Sequence, residues 1–250
     1  MAMTSFGPLS AAYHDAVETP AVDAEIDWYA ARLPADRGPV LEGLCGSGRT
    51  LLPLLSRGFH VHGVDRSAAM LSACEARLAR AGRQTTLVRQ DVTELNLPFR
   101  YAAAYVSAAS FQLVANARDA RNALVRLKAH LVSPALLLLD LVVPDVAVHP
   151  PAAPLVEVRT ATLADGARIT LRTETTVHVD ARRIDIVSRF EKRAASGSIE
   201  REDAAHSRAW YEESDIAALL AACGYGDVAI DASPRPDAGE RRFAVRARGA

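Results

Sequence analysis

Val40-Leu41-Glu42-Gly43-Leu44-Cys45-Gly46-Ser47-Gly48-Arg49, a helical apolar run, and then His60-Val61-His62-Gly63-Val64-Asp65 decide how this chain is read. A short apolar strand runs into a tight turn with two glycines, a helix follows, and a second strand ends on a carboxylate seventeen residues after Gly48. Such an order leaves backbone N–H groups uncovered at a helix N-terminus and brings an acidic side chain within reach of ribose hydroxyls. The stretch describes a nucleotide-like cofactor site.

Glycine-rich turns serve several cofactor classes, and departures from each template separate them. The dinucleotide fingerprint G-x-G-x-x-G fails at its third glycine, because Leu51 stands there after Gly46 and Gly48. The phosphate-loop template fits better, with Gly43 to Gly48 followed by Arg49-Thr50, and Leu136 to Asp140 could imitate a strand ending in a magnesium-binding aspartate. Its defect is Arg49, since a planar guanidinium does not readily replace the compact lysine ammonium at the phosphates.

A third template covers more residues. The run from Val40 to Leu71 resembles the first motifs of class I S-adenosylmethionine-dependent methyltransferases, in the branch reading V-L-E-x-x-C-G-S-G-R, then Pro-Leu-Leu, then R-G-F-x-V-x-G-V-D-x-S-x-x-M-L. Every element stands, from Glu42 through Pro53, Gly58, Phe59, Gly63, Asp65 and Ser67 to Met70-Leu71. Leu44 departs from the commoner form, in which a glycine opens the turn. Further along, Val88-Arg89-Gln90-Asp91-Val92 resembles the third strand and its acidic end, and Tyr101 to Leu113 the fourth strand with its Ser-Phe-Gln-Leu loop, although Ala102 and Ala103 replace the usual acid. Arg118 to Leu131 reads as a helix, Leu136 to Leu141 as the fifth strand, and Trp210-Tyr211 with Ser214 to Leu220 and Cys223-Gly224-Tyr225 resembles the last helix and its cap.

The resemblance implies S-adenosyl-L-methionine as cofactor and S-adenosyl-L-homocysteine as product. It assigns cofactor contacts to Glu42, Gly46, Ser47 and Gly48 in the turn, and to Asp65, Arg66 and Met70 after the second strand. Asp91 and Val92 would meet the adenine, Ser107 would lie beyond the fourth strand, and Tyr13 of the lead-in would close over the cofactor. Tyr13 reads equally as a helix-packing aromatic.

Bulk properties narrow the partners. With 250 residues, half of them apolar, the chain can bury one sizeable α/β core. Cys45, Cys74 and Cys223 are odd in number and lack metal-ligand spacing, which fits a reducing compartment and predicts no metal. The first thirty residues carry five acids and no lysine or arginine, unlike a secretory or transit signal, and no apolar run reaches membrane-spanning length. A cytoplasmic location follows as the default, with no membrane partner. A net charge of −1, from 29 basic and 30 acidic residues, gives no electrostatic footprint for nucleic acid.

Changes of period mark the organisation. Residues 1–37 read as a partly helical lead-in or lid with apolar positions at Val22, Ile26, Trp28, Tyr29 and Leu33, closed by Arg37-Gly38-Pro39. Residues 38–250 would be the methyltransferase domain that the resemblance implies, and their alternating strand and helix patterns predict a Rossmann-like α/β fold. That is a mostly parallel seven-stranded sheet with helices on both faces and the cofactor at the carboxyl ends of the strands. From about 155 to 193 the pattern turns to strand alternation with turns at Asp165-Gly166 and Asp180 to Arg183, predicting a small antiparallel insert of about three strands before the last helix. The resemblance allows this insert to cover the acceptor site or to form a homodimer surface.

The implied chemistry is methyl transfer to an N or O nucleophile of a small molecule by in-line displacement, plausibly in secondary metabolism. The protein then mainly positions the reactants and excludes water. Candidate catalytic bases are His149, after the fifth strand, and His14 of the lead-in. Gln112, Trp210 and Tyr211 are candidate substrate contacts, and His206 stands beside the last two. Two other readings remain: a non-catalytic cofactor-binding regulatory domain, and a phosphate-loop nucleotide-binding protein.

Overall fold

The computed structural model describes residues 6–17, 21, 23–36, 38–163, 165–235 and 240–249, so Val22 and Arg37 of the lead-in lie outside the described residues. Five strands, β1 (Val40–Gly43), β2 (Val61–Asp65), β3 (Leu87–Arg89), β4 (Tyr101–Val106) and β5 (Leu131–Val143), pair in parallel. β10 (Tyr225–Ala232) and β11 (Arg241–Gly249) complete the sheet in the order β10-β11-β5-β4-β1-β2-β3, with β11 antiparallel to both neighbours. β1 is an interior strand, paired on one side to β2 and on the other to the central β4, and the strand order reverses between β1 and β4. Ligands of doubly wound sheets bind outside the carboxyl ends at that point.

Both faces are covered, as the seven-stranded expectation requires. Helices α5 (Ala117–Ala129) and α7 (Glu213–Ala222) bury Leu124, Leu127, Ile216 and Leu220 on one face. On the other, α2 (Asp23–Ala30), α3 (Leu51–Ser56) and α4 (Ala68–Arg80) bury Ile26, Tyr29, Leu51, Leu54 and Cys74. β5 begins before the strand read from the sequence; Ser133-Pro134-Ala135 lies inside it and coincides with a register shift against β4.

A second sheet holds β6 (Leu155–Thr162), β7 (Arg168–His178), β8 (Arg183–Arg193) and β9 (Ile199–Ala209), all antiparallel. It has four strands where the alternation predicts about three. β9 escaped because Ile199 to Ala209 is polar and alanine-rich, and its burial comes from tertiary neighbours: Ala204 packs in a small cluster with Leu9 and Tyr13 of α1 (Pro8–Val17). Glu202 of β9 caps α1, accepting the N–H groups of Leu9 at 2.7 Å and Ser10 at 3.1 Å. Asp15 at the other end of α1 accepts from Arg77 Nε of α4 at 2.5 Å. The lead-in helix is therefore held between the two sheets.

Gln112 joins the parts. Its amide nitrogen donates to the carbonyls of Val142 at 2.9 Å and Ala209 at 2.6 Å, and its carbonyl accepts the Val142 N–H at 2.8 Å. The side chain is buried and fully used by backbone, so in place of the substrate contact expected from the sequence it clasps the ends of β5 and β9 to the loop after β4. Removing it leaves buried peptide groups unpaired, at roughly 1–3 kcal/mol for an unsatisfied group. Gln112→Ala should lower unfolding free energy by about 2–4 kcal/mol in urea titrations with little change in slope; full stability together with a loss of acceptor affinity would contradict this role.

Candidate active site

The turn after β1 is built on left-handed backbone. Gly46 (φ 53°) and Gly48 (φ 80°) adopt it without a side-chain penalty. A Cβ on Gly48 would lie 2.5 Å from Cys74 Sγ, so the turn can approach α4 only with glycine there, whereas a Cβ on Gly46 meets nothing within 4 Å. Leu44, standing where the family form has glycine, takes φ 54° as well, at a cost of roughly 1–2 kcal/mol. Ala108 (φ 55°) and Ala109 (φ 57°), in the loop after β4, repeat this conformation. Such strain persists where surrounding structure over-determines the backbone, and it collects at functional sites.

Asp65 at the end of β2 fixes the turn. One carboxylate oxygen accepts the Gly46 N–H at 2.9 Å and the other the Ser67 N–H at 2.8 Å. Burial raises its pKa while these two hydrogen bonds lower it. Ser67 then caps α4, its Oγ accepting from Met70 N at 3.1 Å.

These groups rim a cleft of about 450 Å³ at the carboxyl ends of β1, β2, β3 and β4. Gly46, Ser47, Asp65, Arg66 and Met70 form one wall, with Asp91, Val92 and Ser107 beyond them. Asp91 Oδ1 caps the 3₁₀ turn Val92–Glu94 through the Thr93 N–H (2.9 Å) and Oγ1 (2.7 Å), and Oδ2 faces Arg66 at 3.6 Å. At the far end lie His14 and Phe6 of the lead-in, His206 and Arg208 of β9, and Arg242 of β11. Phe6 packs against His14 and His206 with ring centroids 5.3 and 5.4 Å apart, and its carbonyl accepts from Ser67 Oγ at 2.6 Å. A second hollow of about 480 Å³ lies where β5 begins, away from the strands' carboxyl ends, and no carboxylate lines it.

Beneath the turn is a buried acid. Glu42 accepts hydrogen bonds from Tyr105 and Ser107, both at 2.9 Å, and from the Thr50 hydroxyl. Burial pushes its carboxyl up to about 7 despite these donors. Arg49 forms a two-point pair with Glu25 of α2, which is fully buried. Thr50 and Arg49 are thus committed to protein partners, and Asp140 is buried and accepts from Ser233 at 3.0 Å. That removes the ammonium-like and magnesium-binding groups on which the phosphate-loop reading depends.

Residues 40–133 match the family model described as a methyltransferase domain. No curated protein sequence matches the chain. Among solved structures, the chain is similar to the CcbJ methyltransferase from Streptomyces caelestis, with 20% identity, a TM-score of 0.75, and 99% of this chain and 98% of that one covered. It is similar to an S-adenosylmethionine-dependent methyltransferase from Clostridium acetobutylicum ATCC 824 (16% identity, TM-score 0.75, 94% and 96% covered). The sugar N-methyltransferase KedS8 from Streptoalloteichus sp ATCC 53650 gives 17% identity, a TM-score of 0.74, and 98% and 95% coverage. The chain has the Rossmann-like methyltransferase fold.

Within this methyltransferase fold, several sequence-derived candidates stand away from the cleft. Glu42 lies under the turn and Gly48 packs on Cys74, so both shape the site without lining it. Tyr13 is buried against Phe190 at 5.8 Å, and the lead-in aromatic at the cleft is Phe6. Trp210 is a core residue, and Tyr211 is packed on Phe111 at 6.0 Å. His149 is exposed beyond the short helix α6 (Asp145–Val148) and does not line the cleft, which argues against a catalytic role. Arg208, Arg242 and Phe6 were missed. For Arg208 the available signal was its two-residue spacing from His206, which puts both on one face of a strand once β9 is recognised.

Glu42 makes stability pH-dependent. Its folded-state pKa lies above that of an ordinary glutamate, so the folded protein retains a proton that the unfolded chain releases. The stability this contributes is complete below about pH 4.5 and is lost as pH rises through about 7, on the order of 3 kcal/mol in total. Denaturant unfolding of Glu42→Gln should show a flatter pH dependence across that window than the parent; parallel curves would contradict a protonated Glu42.

Proposed function

We propose that the protein is an enzyme transferring a methyl group from S-adenosylmethionine to an amine nitrogen of a small molecule, with S-adenosylhomocysteine as the second product. The observation that carries this reading is the Gly46–Asp65 hydrogen bond on the rim of an open cleft at the strands' carboxyl ends. The residues fit the cofactor. Gly46 presents backbone with no atom where a Cβ would be, Asp65 keeps lone pairs for ribose hydroxyls beyond the two N–H groups it holds, and about 450 Å³ lies within the range of small-molecule sites.

When bound, the cofactor supplies a methyl carbon already activated on a sulfonium centre. The chain's own residues then position and enclose. Gly46, Ser47 and Asp65 hold the ribose and amino-acid side, Asp91 and Val92 the adenine side, and Phe6, His14 and His206 exclude water from the far end. His206 favours nitrogen over oxygen. Burial and the neighbouring Arg208, His14 and Arg66 push its pKa down to about 4, so it stays neutral and too weakly basic to take a proton from a hydroxyl. A free amine attacks through its lone pair and sheds its proton afterwards. The N-methyl transfer named for the KedS8 structure supports the same acceptor class.

A regulatory domain would have the acceptor end filled, whereas this cleft continues past the cofactor rim to His206 and Arg208. No helix among the described residues is long and apolar enough to cross a membrane, and the free, buried cysteines support the cytoplasmic assignment. With isotope-labelled S-adenosylmethionine and a panel of small amines paired with their hydroxyl analogues, label should pass to amines and not to the analogues. The rate should rise as pH converts ammonium to free amine. Tight S-adenosylhomocysteine binding without transfer to any amine would contradict the proposal.

A further inference from the structure

The acceptor end of the cleft carries two guanidinium groups whose hydrogen-bonding capacity is largely unspent. Arg242 of β11 keeps only 12% of its side-chain surface exposed, and among the described residues its buried Nε and Nη1 meet no hydrogen-bond partner. The nearest acids are Asp140, 3.8 Å from Nη1, and Glu240, 3.6 Å from Nη2. Both separations exceed hydrogen-bond length. Asp140 spends one oxygen on Ser233, and the oxygen facing Arg242 is itself unpartnered. The backbone of Arg208 lies opposite Ile184 in the β8–β9 ladder, and no side-chain hydrogen bond or ion pair holds its guanidinium among the described residues. Burial and the neighbouring Arg242 lower its pKa, and only Glu240 acts in the opposite direction. Beside it, His206 is kept neutral by burial and by the neighbouring Arg208, His14 and Arg66, and supplies no charge.

Withdrawing guanidinium groups from water without acceptors is expensive, and each arginine offers a rigid fork suited to carboxylate or phosphate oxygens. A cleft that must also admit a sulfonium cation is a costly place for two under-satisfied cations. An anion contributed by the second substrate relieves both terms. Resting on the methyl-transfer reading above, we propose that Arg208 and Arg242 form an anion subsite, so that the methyl acceptor is a small amine bearing a carboxylate or phosphate group. Asp140 and Glu240 flank Arg242 beyond hydrogen-bond length, so neither consumes the guanidinium that, with Arg208, lines the cleft.

The test uses the full chain saturated with S-adenosylhomocysteine. It is titrated calorimetrically with inorganic pyrophosphate and, separately, with succinate at constant ionic strength. Saturable binding of one of them is expected, weakened at least about tenfold in Arg208→Gln and in Arg242→Gln, with S-adenosylhomocysteine affinity within about twofold of the parent. A preference for pyrophosphate would place the anion on a phosphate and a preference for succinate on a carboxylate. No saturable binding, or binding that survives both substitutions, would overturn the subsite while leaving the cofactor reading intact. If Arg242→Gln does not fold, Arg208→Gln alone decides, since its retained S-adenosylhomocysteine binding reports a native cofactor rim. Failure of the parent to bind S-adenosylhomocysteine would overturn the methyl-transfer reading and the subsite with it.

Discussion

One carboxylate holds the functional end of this protein together. Asp65 accepts the backbone N–H of Gly46 with one oxygen and that of Ser67 with the other, linking the turn after β1 to the start of α4. Hydrogen bonds to a charged partner contribute roughly 1.5–3 kcal/mol each, enough to offset left-handed backbone at three successive even-numbered positions, Leu44, Gly46 and Gly48. The turn therefore keeps a shape in which peptide groups face open space. Ser67, placed by the same carboxylate, caps α4, and its hydroxyl also donates to the Phe6 carbonyl, holding the lead-in at the cleft.

Below that rim lie three buried acids, Glu42 on β1, Asp140 on β5 and Glu25 on α2; burial raises the pKa of the Tyr29 hydroxyl near them, and each acid adds to that rise. Arg49 neutralises Glu25, and burial keeps Glu42 partly protonated near neutrality, so the negative field is present but moderated. A site for a cationic cofactor gains from such a floor, because a fixed field in a low-dielectric setting needs no reorganisation. Two further cations, Arg208 of β9 and Arg242 of β11, also line the cleft.

What could be read from the sequence follows the range of the interactions. The cofactor half is local: strand, turn, helix and acidic strand end lie between Val40 and Asp65, and each obeys a short-range rule that needs no partner. The residues proposed for the acceptor side, Phe6, His14, His206, Arg208 and Arg242, are brought together only by the fold. Gln112, Trp210, Tyr211 and Tyr13 misled for a common reason. A polar or aromatic side chain after a strand can serve a ligand or the core, and composition does not say whether backbone groups such as Val142 and Ala209 will consume it. β9 was hidden because its burial depends on α1 and the cleft rather than on an alternating apolar pattern of its own.

If Asp65 and the Gly46 turn hold S-adenosylmethionine, calorimetric titration of the parent and of Asp65→Ala with S-adenosylhomocysteine, alongside magnesium-ATP, should show saturable S-adenosylhomocysteine binding that Asp65→Ala weakens by at least about tenfold, and no magnesium-ATP binding. Equal affinity in both proteins, or binding of magnesium-ATP in its place, would contradict that role.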